Sequence, residues 1–263
     1  MKRLIKNKYF IFLLGIIFLI GVWFIISLAV GNNKMIFPSP VEVIAEMGRL
    51  LTKKSTYKYI GFSVIRLLVG FSMSFLLAFI LGIIVNNNDK AYHFVKPVIT
   101  FFKAAPTATF VFLFIVISGA KNAPVYVIIT GTFPLLYESI VGGFKSFDLA
   151  LEHQARVDGA NKIKRVWLIM LPAALPYIEV GLIQTFATAF KIEIMAEVIT
   201  GYTNGGLGSI INTSQLLDPT NLVPIFAYSL MAILVIIIFS IFADILKSKN
   251  APKILHRNAV GVK

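Results

Sequence analysis

Charged side chains stand in or beside long apolar runs at Arg66, Lys103, Glu138, Lys191, Glu193 and Glu197. A charge at the centre of a bilayer costs about 2.5–3.5 kcal/mol on insertion scales, so such groups face the protein interior or a wet cavity. Two kinds of chemistry are open to them: pairing with one another, or contact with an ionic solute. Glu193 and Glu197 are four residues apart and share a helix face, whereas Lys191 points elsewhere. Lys103 lies beside Pro106, where a broken helix frees backbone groups to face a cavity. Lys103 and Lys191 are therefore candidates for contacting an anionic solute. Their structural alternative is ion pairing with Glu138, Glu193 or Glu197. Arg66, near a membrane boundary, can snorkel. The candidate translocation residues are Lys103, Pro106, Lys191, Glu193 and Glu197.

No residues point to catalysis or to a metal. The chain has no cysteine, so disulfides, thiolate metal sites and thiol redox chemistry are excluded. His93, His153 and His256 are far apart and outside the apolar runs, which argues against a histidine metal cluster. An intramembrane hydrolase needs a nucleophile with a general base at membrane depth. No histidine lies in a span, and Ser209 has no evident partner. A phosphate-binding Gly-x-x-x-x-Gly-Lys-Ser/Thr loop is missing, and Gly142-Gly143-Phe144-Lys145-Ser146 has the wrong glycine spacing.

Apolar runs must position these charges. Of 263 residues, 57% are hydrophobic and 14% charged, against about 25% charged in soluble domains. The mean hydropathy is +0.83. Six apolar stretches approach the ~20 residues that cross a bilayer core, near residues 9–30, 65–85, 95–118, 125–141, 172–199 and 223–246. The first is longer than a signal-peptide core and reads as an uncleaved span, although Ser27-Leu28-Ala29 vaguely resembles a cleavage site. Pro106 interrupts the third. Between the first two, Ser39-Pro40-Val41-Glu42 predicts a capped helix start. Val41, Ile44, Met47 and Leu51 then recur at helical spacing, as in an amphipathic helix on the membrane surface. Gly205-Gly206-Leu207-Gly208 predicts a tight external turn or gate hinge.

The predicted fold is thus an all-α membrane protein with about six transmembrane helices, a surface helix and a cytoplasmic loop. Residues 1–36 hold a tail and the first span, and 37–56 the external surface segment. Residues 57–246 form the core with five further spans, and 247–263 a basic cytoplasmic tail. With both termini inside, sixteen Lys and Arg lie on inner segments and six on outer ones, five of these around the surface helix. The imbalance supports that orientation. The net charge of +13 then reads as topology and headgroup attraction rather than nucleic-acid binding.

Residues 142–165 become cytoplasmic. Within them Asp148 can cap a short helix that Gly159 ends, and a second short helix leads to Pro172. A solvated loop gripping headgroups with its lysines is the plainer reading. The stretch resembles the cytoplasmic "EAA" loop of ATP-binding-cassette (ABC) importer permeases, with Ala155, Gly159, Ile169, Leu171 and Pro172 in register. The motif's glutamate and first alanine fall on His153 and Gln154, with Glu152 one residue early. The resemblance extends to Phe37-Pro38-Ser39-Pro40, Ser63-Val64-Ile65-Arg66, Gly70-Phe71, Phe133-Pro134, and Ala196-Glu197 with Gly206-Leu207-Gly208. These look like the permeases of sulfonate, taurine and nitrate importers, although Ala104 replaces the first proline of their Arg-Pro-x-Pro segment.

That resemblance implies a non-catalytic permease in the cytoplasmic membrane, with a small anion as solute. It implies a coupling loop (Asp148, Glu152, His153, Ala155, Gly159, Leu171, Pro172) docked on a separate ATPase subunit that uses ATP and Mg. It further implies an extracytoplasmic solute-binding protein and a second permease, as a homodimer. An ion-coupled secondary transporter is the competing reading, but no repeat joins the two halves.

Overall fold

The computed structural model describes residues 8–86, 88–146, 161–202 and 205–250. Every regular element among them is helical. In chain order they are α1 (Lys8–Ala29), α2 (Pro40–Leu51), α3 (Lys54–Asn86), α4 (Asp89–Ala104), α5 (Thr107–Ser118) and α6 (Ala123–Lys145). A single turn, Lys162–Arg165, and a π segment, Val166–Met170, then lead into α7 (Leu171–Thr200), followed by α8 (Leu207–Leu217) and α9 (Val223–Asn250).

Three helices are long and apolar enough to cross a membrane by themselves: Lys54–Asn86, Ala123–Lys145 and the Val223–Ile241 part of α9. The shorter apolar stretch Leu13–Ala29 belongs to α1. At 30 residues α7 has the length, about 45 Å, but carries Glu179, Lys191, Glu193 and Glu197. The third predicted span is not one rod: α4 and α5 meet at 97°. Pro106 forces the preceding residue out of the helical region, and Ala105 adopts φ −71°, ψ 133°. With 33 residues α3 runs to about 50 Å, starting well before its predicted apolar core. Large side chains such as Phe18, Leu19, Val116 and Ile117 are exposed, as expected for helices facing lipid.

Two compact units divide the chain. The first comprises residues 1–64 and 197–233. Here the predicted cap of α2 forms: Ser39 Oγ accepts the Glu42 N–H at 3.3 Å, and the Ser39 N–H donates to the Glu42 carboxylate at 3.4 Å. Lys34 Nζ adds an ion pair to Glu42 at 3.2 Å. Trp23 packs against Phe37 and Phe226, and its Nε1–H donates to the Pro38 carbonyl at 3.0 Å. These contacts fix the start of the surface helix against α1 and α9.

The second unit comprises residues 65–196 and 234–263. Its core gathers Ala78, Ile99, Leu136, Ile140, Phe144 and Met170 with their neighbours. Small residues set the helix spacing. A Cβ on Gly70 would lie 2.9 Å from the Ile128 side chain, so α3 and α6 approach where only glycine fits. The π segment has a local cause. Pro172 has no N–H to close a bond onto Leu168, and the chain widens just before it, the Leu171 N–H reaching back to the Val166 carbonyl.

Candidate translocation site

Helices α6 and α7 approach on small residues. A Cβ on Gly143 would sit 3.2 Å from the Ala174 Cβ, and one on Gly181 would collide with the Ser139 side chain. Beside this contact lies a cleft of about 570 Å3, lined by Glu138, Ser139, Pro176, Tyr177, Gly181 and Gln184 among others. Thr185 and Thr188 extend the lining next to Glu138 and Gln184.

An ion pair marks the rim. Lys103 Nζ donates to both Glu138 carboxylate oxygens, at 2.8 and 2.7 Å. The two side chains are 42% and 48% exposed. Lys103 sits in the last turn of α4, where the helix dipole favours a cation. Down α7, Gln184, Thr188 and Lys191 fall on one face at helical spacing. The Thr188 hydroxyl donates to the Gln184 carbonyl at 3.1 Å. Lys191 is exposed and joins no ion pair among the described residues.

Two acidic residues near the end of α7, Glu193 and Glu197, are placed differently. Glu193 is fully buried and is not among the residues lining the cleft. Glu197, also fully buried, accepts from Ser63 Oγ at 2.8 Å, the Gly206 N–H at 3.0 Å and the Gly208 N–H at 2.9 Å. Ser63 Oγ in turn accepts the Leu207 N–H at 2.8 Å. The pair supplies acceptors to the unpaired amides at the start of α8. A side chain on Gly206 would overlap Ser63 Oγ and the Glu197 carboxylate, so this turn admits glycine alone. Helix α7 ends just beyond at Gly201, whose φ of +59° suits a C-terminal glycine.

The structure thus joins Lys103 to Glu138 and puts Lys191 on an exposed polar face, whereas Glu193 and Glu197 are fully buried. Pro106 forms the α4–α5 break. Of the predicted coupling-loop residues, Asp148, Glu152, His153, Ala155 and Gly159 lie outside the described residues. Leu171 and Pro172 open α7 after the π segment. Asn161 caps the turn before it, its Oδ1 accepting the Lys164 N–H at 2.8 Å. Sequence reasoning passed over Gln184 and Thr188, although polar residues four apart on an apolar helix are a readable signal.

Long helices with exposed apolar side chains, beside a polar, ion-paired cleft, fit a membrane-embedded protein. Residues 74–255 match the family described as the binding-protein-dependent transport system inner membrane component, and the chain belongs to that family of ABC importer permeases. A probable ABC transporter permease protein of Brucella melitensis is 28% identical over 195 residues, 74% of this chain and 77% of that one. The putative aliphatic sulfonates transport permease protein of Bacillus subtilis is 23% identical over 201 residues, 76% and 72% of the two chains. The nitrate import permease protein of Synechocystis sp. is 26% identical over 194 residues, 70% and 69% of the two chains. A chain of the MetNI methionine ABC transporter, solved in inward-facing conformations, superposes with a TM-score of 0.60 at 16% identity. That match covers 73% of this chain and 92% of the other, and it speaks for the fold.

Proposed function

We propose that this permease carries a small anion, such as a sulfonate, taurine or nitrate, along a path whose wall includes the α6–α7 cleft. The observation that supports this reading is the half-exposed Lys103–Glu138 pair at the cleft rim. An incoming oxyanion competes with Glu138 for the Lys103 ammonium, and Gln184, Thr188 and Lys191 continue the polar face along α7. The names of the Bacillus and Synechocystis relatives, which concern aliphatic sulfonates and nitrate, favour the same solute class.

The pathway forms between two copies of this chain, and an extracytoplasmic binding protein delivers the solute. Both termini are cytoplasmic. ATP and Mg are used by separate ATPase subunits, which grip the Asp148–Asn161 stretch. Binding of ATP moves that stretch as a lever and rocks the spans to change the open side.

The test is co-expression with candidate ATPase and binding-protein genes, followed by uptake of a panel of anions into reconstituted vesicles. Lys103→Gln should raise the solute KM while the complex with the ATPase stays intact. Unchanged uptake would sink the Lys103 assignment. A chain that binds no ATPase yet transports on an ion gradient would instead establish a secondary transporter.

A further inference from the structure

A second cleft, of about 280 Å3, lies on the neighbouring face of α6, between it and α4. Tyr92, Lys96 and Thr100 line it from α4, and Tyr137, Glu138 and Lys145 from α6. Helical spacing builds both walls: residues 92, 96 and 100 stack on one face of α4, and 137, 141 and 145 on one face of α6. The opposite face of α4 is apolar and exposed at Phe94, Val98 and Phe101. This helix therefore turns its basic face toward α6.

Three features of the cleft point to a ligand. Lys96 and Lys145 join no ion pair among the described residues, and Lys145 Nζ stands 3.6 Å from the Tyr92 ring centroid. The Glu138 carboxylate, the acid lining the cleft, is already held by Lys103, so the local charge is positive. Among the lining residues Tyr137 is 4% exposed, and its buried hydroxyl has no hydrogen-bond partner among the described residues. A buried hydroxyl is costly without one. Thr100 spends its proton on the Lys96 carbonyl at 2.9 Å. Near the end of α6, Ser146 takes the Gly142 and Gly143 carbonyls, which would otherwise repel an anion.

We propose that this cleft binds a phosphate-type oxyanion, with Lys96 and Lys145 supplying charge and the Tyr137 hydroxyl a directed hydrogen bond. The site opens on the α4 side of α6, shares Glu138 and Gly142 with the α6–α7 cleft, and does not depend on which solute is carried. An anionic lipid headgroup and free phosphate present the same oxygens, and basic pockets between membrane helices are known to hold headgroups. Because α6 ends at Lys145, immediately before the segment assigned to ATPase coupling, an occupied cleft pins α4 to the end of α6.

The experiment uses the full chain purified with its ATPase. Native mass spectrometry reads retained phosphatidylglycerol, and thermal shift in phosphatidylcholine nanodiscs reads binding of inorganic phosphate. The variants are Lys96→Gln with Lys145→Gln, Tyr137→Phe, and Lys121→Gln as an exposed control outside the cleft. The double lysine variant should bind at least roughly tenfold more weakly, the change expected for about 1.4 kcal/mol, with Tyr137→Phe intermediate and Lys121→Gln unchanged. Retained phosphatidylglycerol without a phosphate response makes the ligand a headgroup; a saturable phosphate response without retained lipid makes it a free anion. Binding of neither, or equal binding in wild type and the double variant, overturns the proposal. Should the double variant fail to assemble, Tyr137→Phe keeps the ring packing, and unchanged binding in it overturns the proposal equally.

Discussion

Replacing Glu197 with glutamine separates an architectural carboxylate from a solute-binding one. The Oε1 of Glu197 accepts the Gly206 N–H, and its Oε2 accepts Ser63 Oγ and the Gly208 N–H. In Glu197→Gln one oxygen remains to serve two of these donors, while the new amide faces a third that it cannot satisfy. Hydrogen bonds to a charged group contribute about 1.5–3 kcal/mol each and neutral ones about 1 kcal/mol. One bond is lost, two weaken, and a buried amide is stranded, so the expected destabilisation is about 3–4 kcal/mol. In a chain of this size that corresponds to a Tm lower by on the order of 10 °C. The assay is thermal unfolding of the purified permease–ATPase complex, with uptake measured on the same samples. Ser63→Ala, which removes one donor and the acceptor of the Leu207 N–H, should lower Tm in the same direction. An unchanged Tm together with a raised solute KM in Glu197→Gln would refute the architectural role and return this residue to the translocation pathway.

Two further predictions concern other parts of the chain. Desolvation alone would push the Glu42 carboxyl up, but hydrogen bonds and charge from Lys34 and Ser39 outweigh it and hold it below its ordinary value of 4.5. A depressed carboxylate stabilises the fold above its unfolded pKa and loses that contribution as pH falls through the folded value. Glu42→Gln should therefore lower Tm at neutral pH and converge with wild type on acidification below about pH 4; a gap that persists at the acid end would count against the pairing. At the α6–α7 contact, Gly181→Ala places a methyl group on Ser139 and should cost about 1–3 kcal/mol by overpacking. Adding Ser139→Gly should restore the Tm, and a single variant with wild-type Tm would mean that the helices do not approach as closely as described.

Local rules made some of this legible. Ser39, Pro40 and Glu42 specify a helix start within four consecutive residues, and that start forms as the spacing demands. Pro106 announced a break, because the restriction on the residue before proline is local. The 97° bend was not readable, since it rests on two successive extended residues and on Phe102 packing against Phe110. Helix α8 escaped notice for a related reason. Its sequence has ordinary propensity, and the groups that serve its first amides come from Glu197 and from Ser63, 144 positions before Leu207. The partner of Lys103 had three candidates by charge alone; choosing Glu138 required α4 and α6 to be side by side.

Glu138 and Glu197 face the same physical difficulty and meet it in opposite ways. Each is a carboxylate on a long apolar helix, where an isolated charge is costly. Glu197 is fully buried and its oxygens are filled by two backbone amides and a serine hydroxyl. Nothing in that arrangement can open without stranding amides, so it suits a fixed joint. Glu138 is about half exposed and is balanced by one flexible lysine. Exposed pairs are worth only about 0–1 kcal/mol, so this pair is held far less firmly than the Glu197 carboxylate. Burial together with the nature of the partner distinguishes the two carboxylates where the sequence shows only two glutamates in apolar helices.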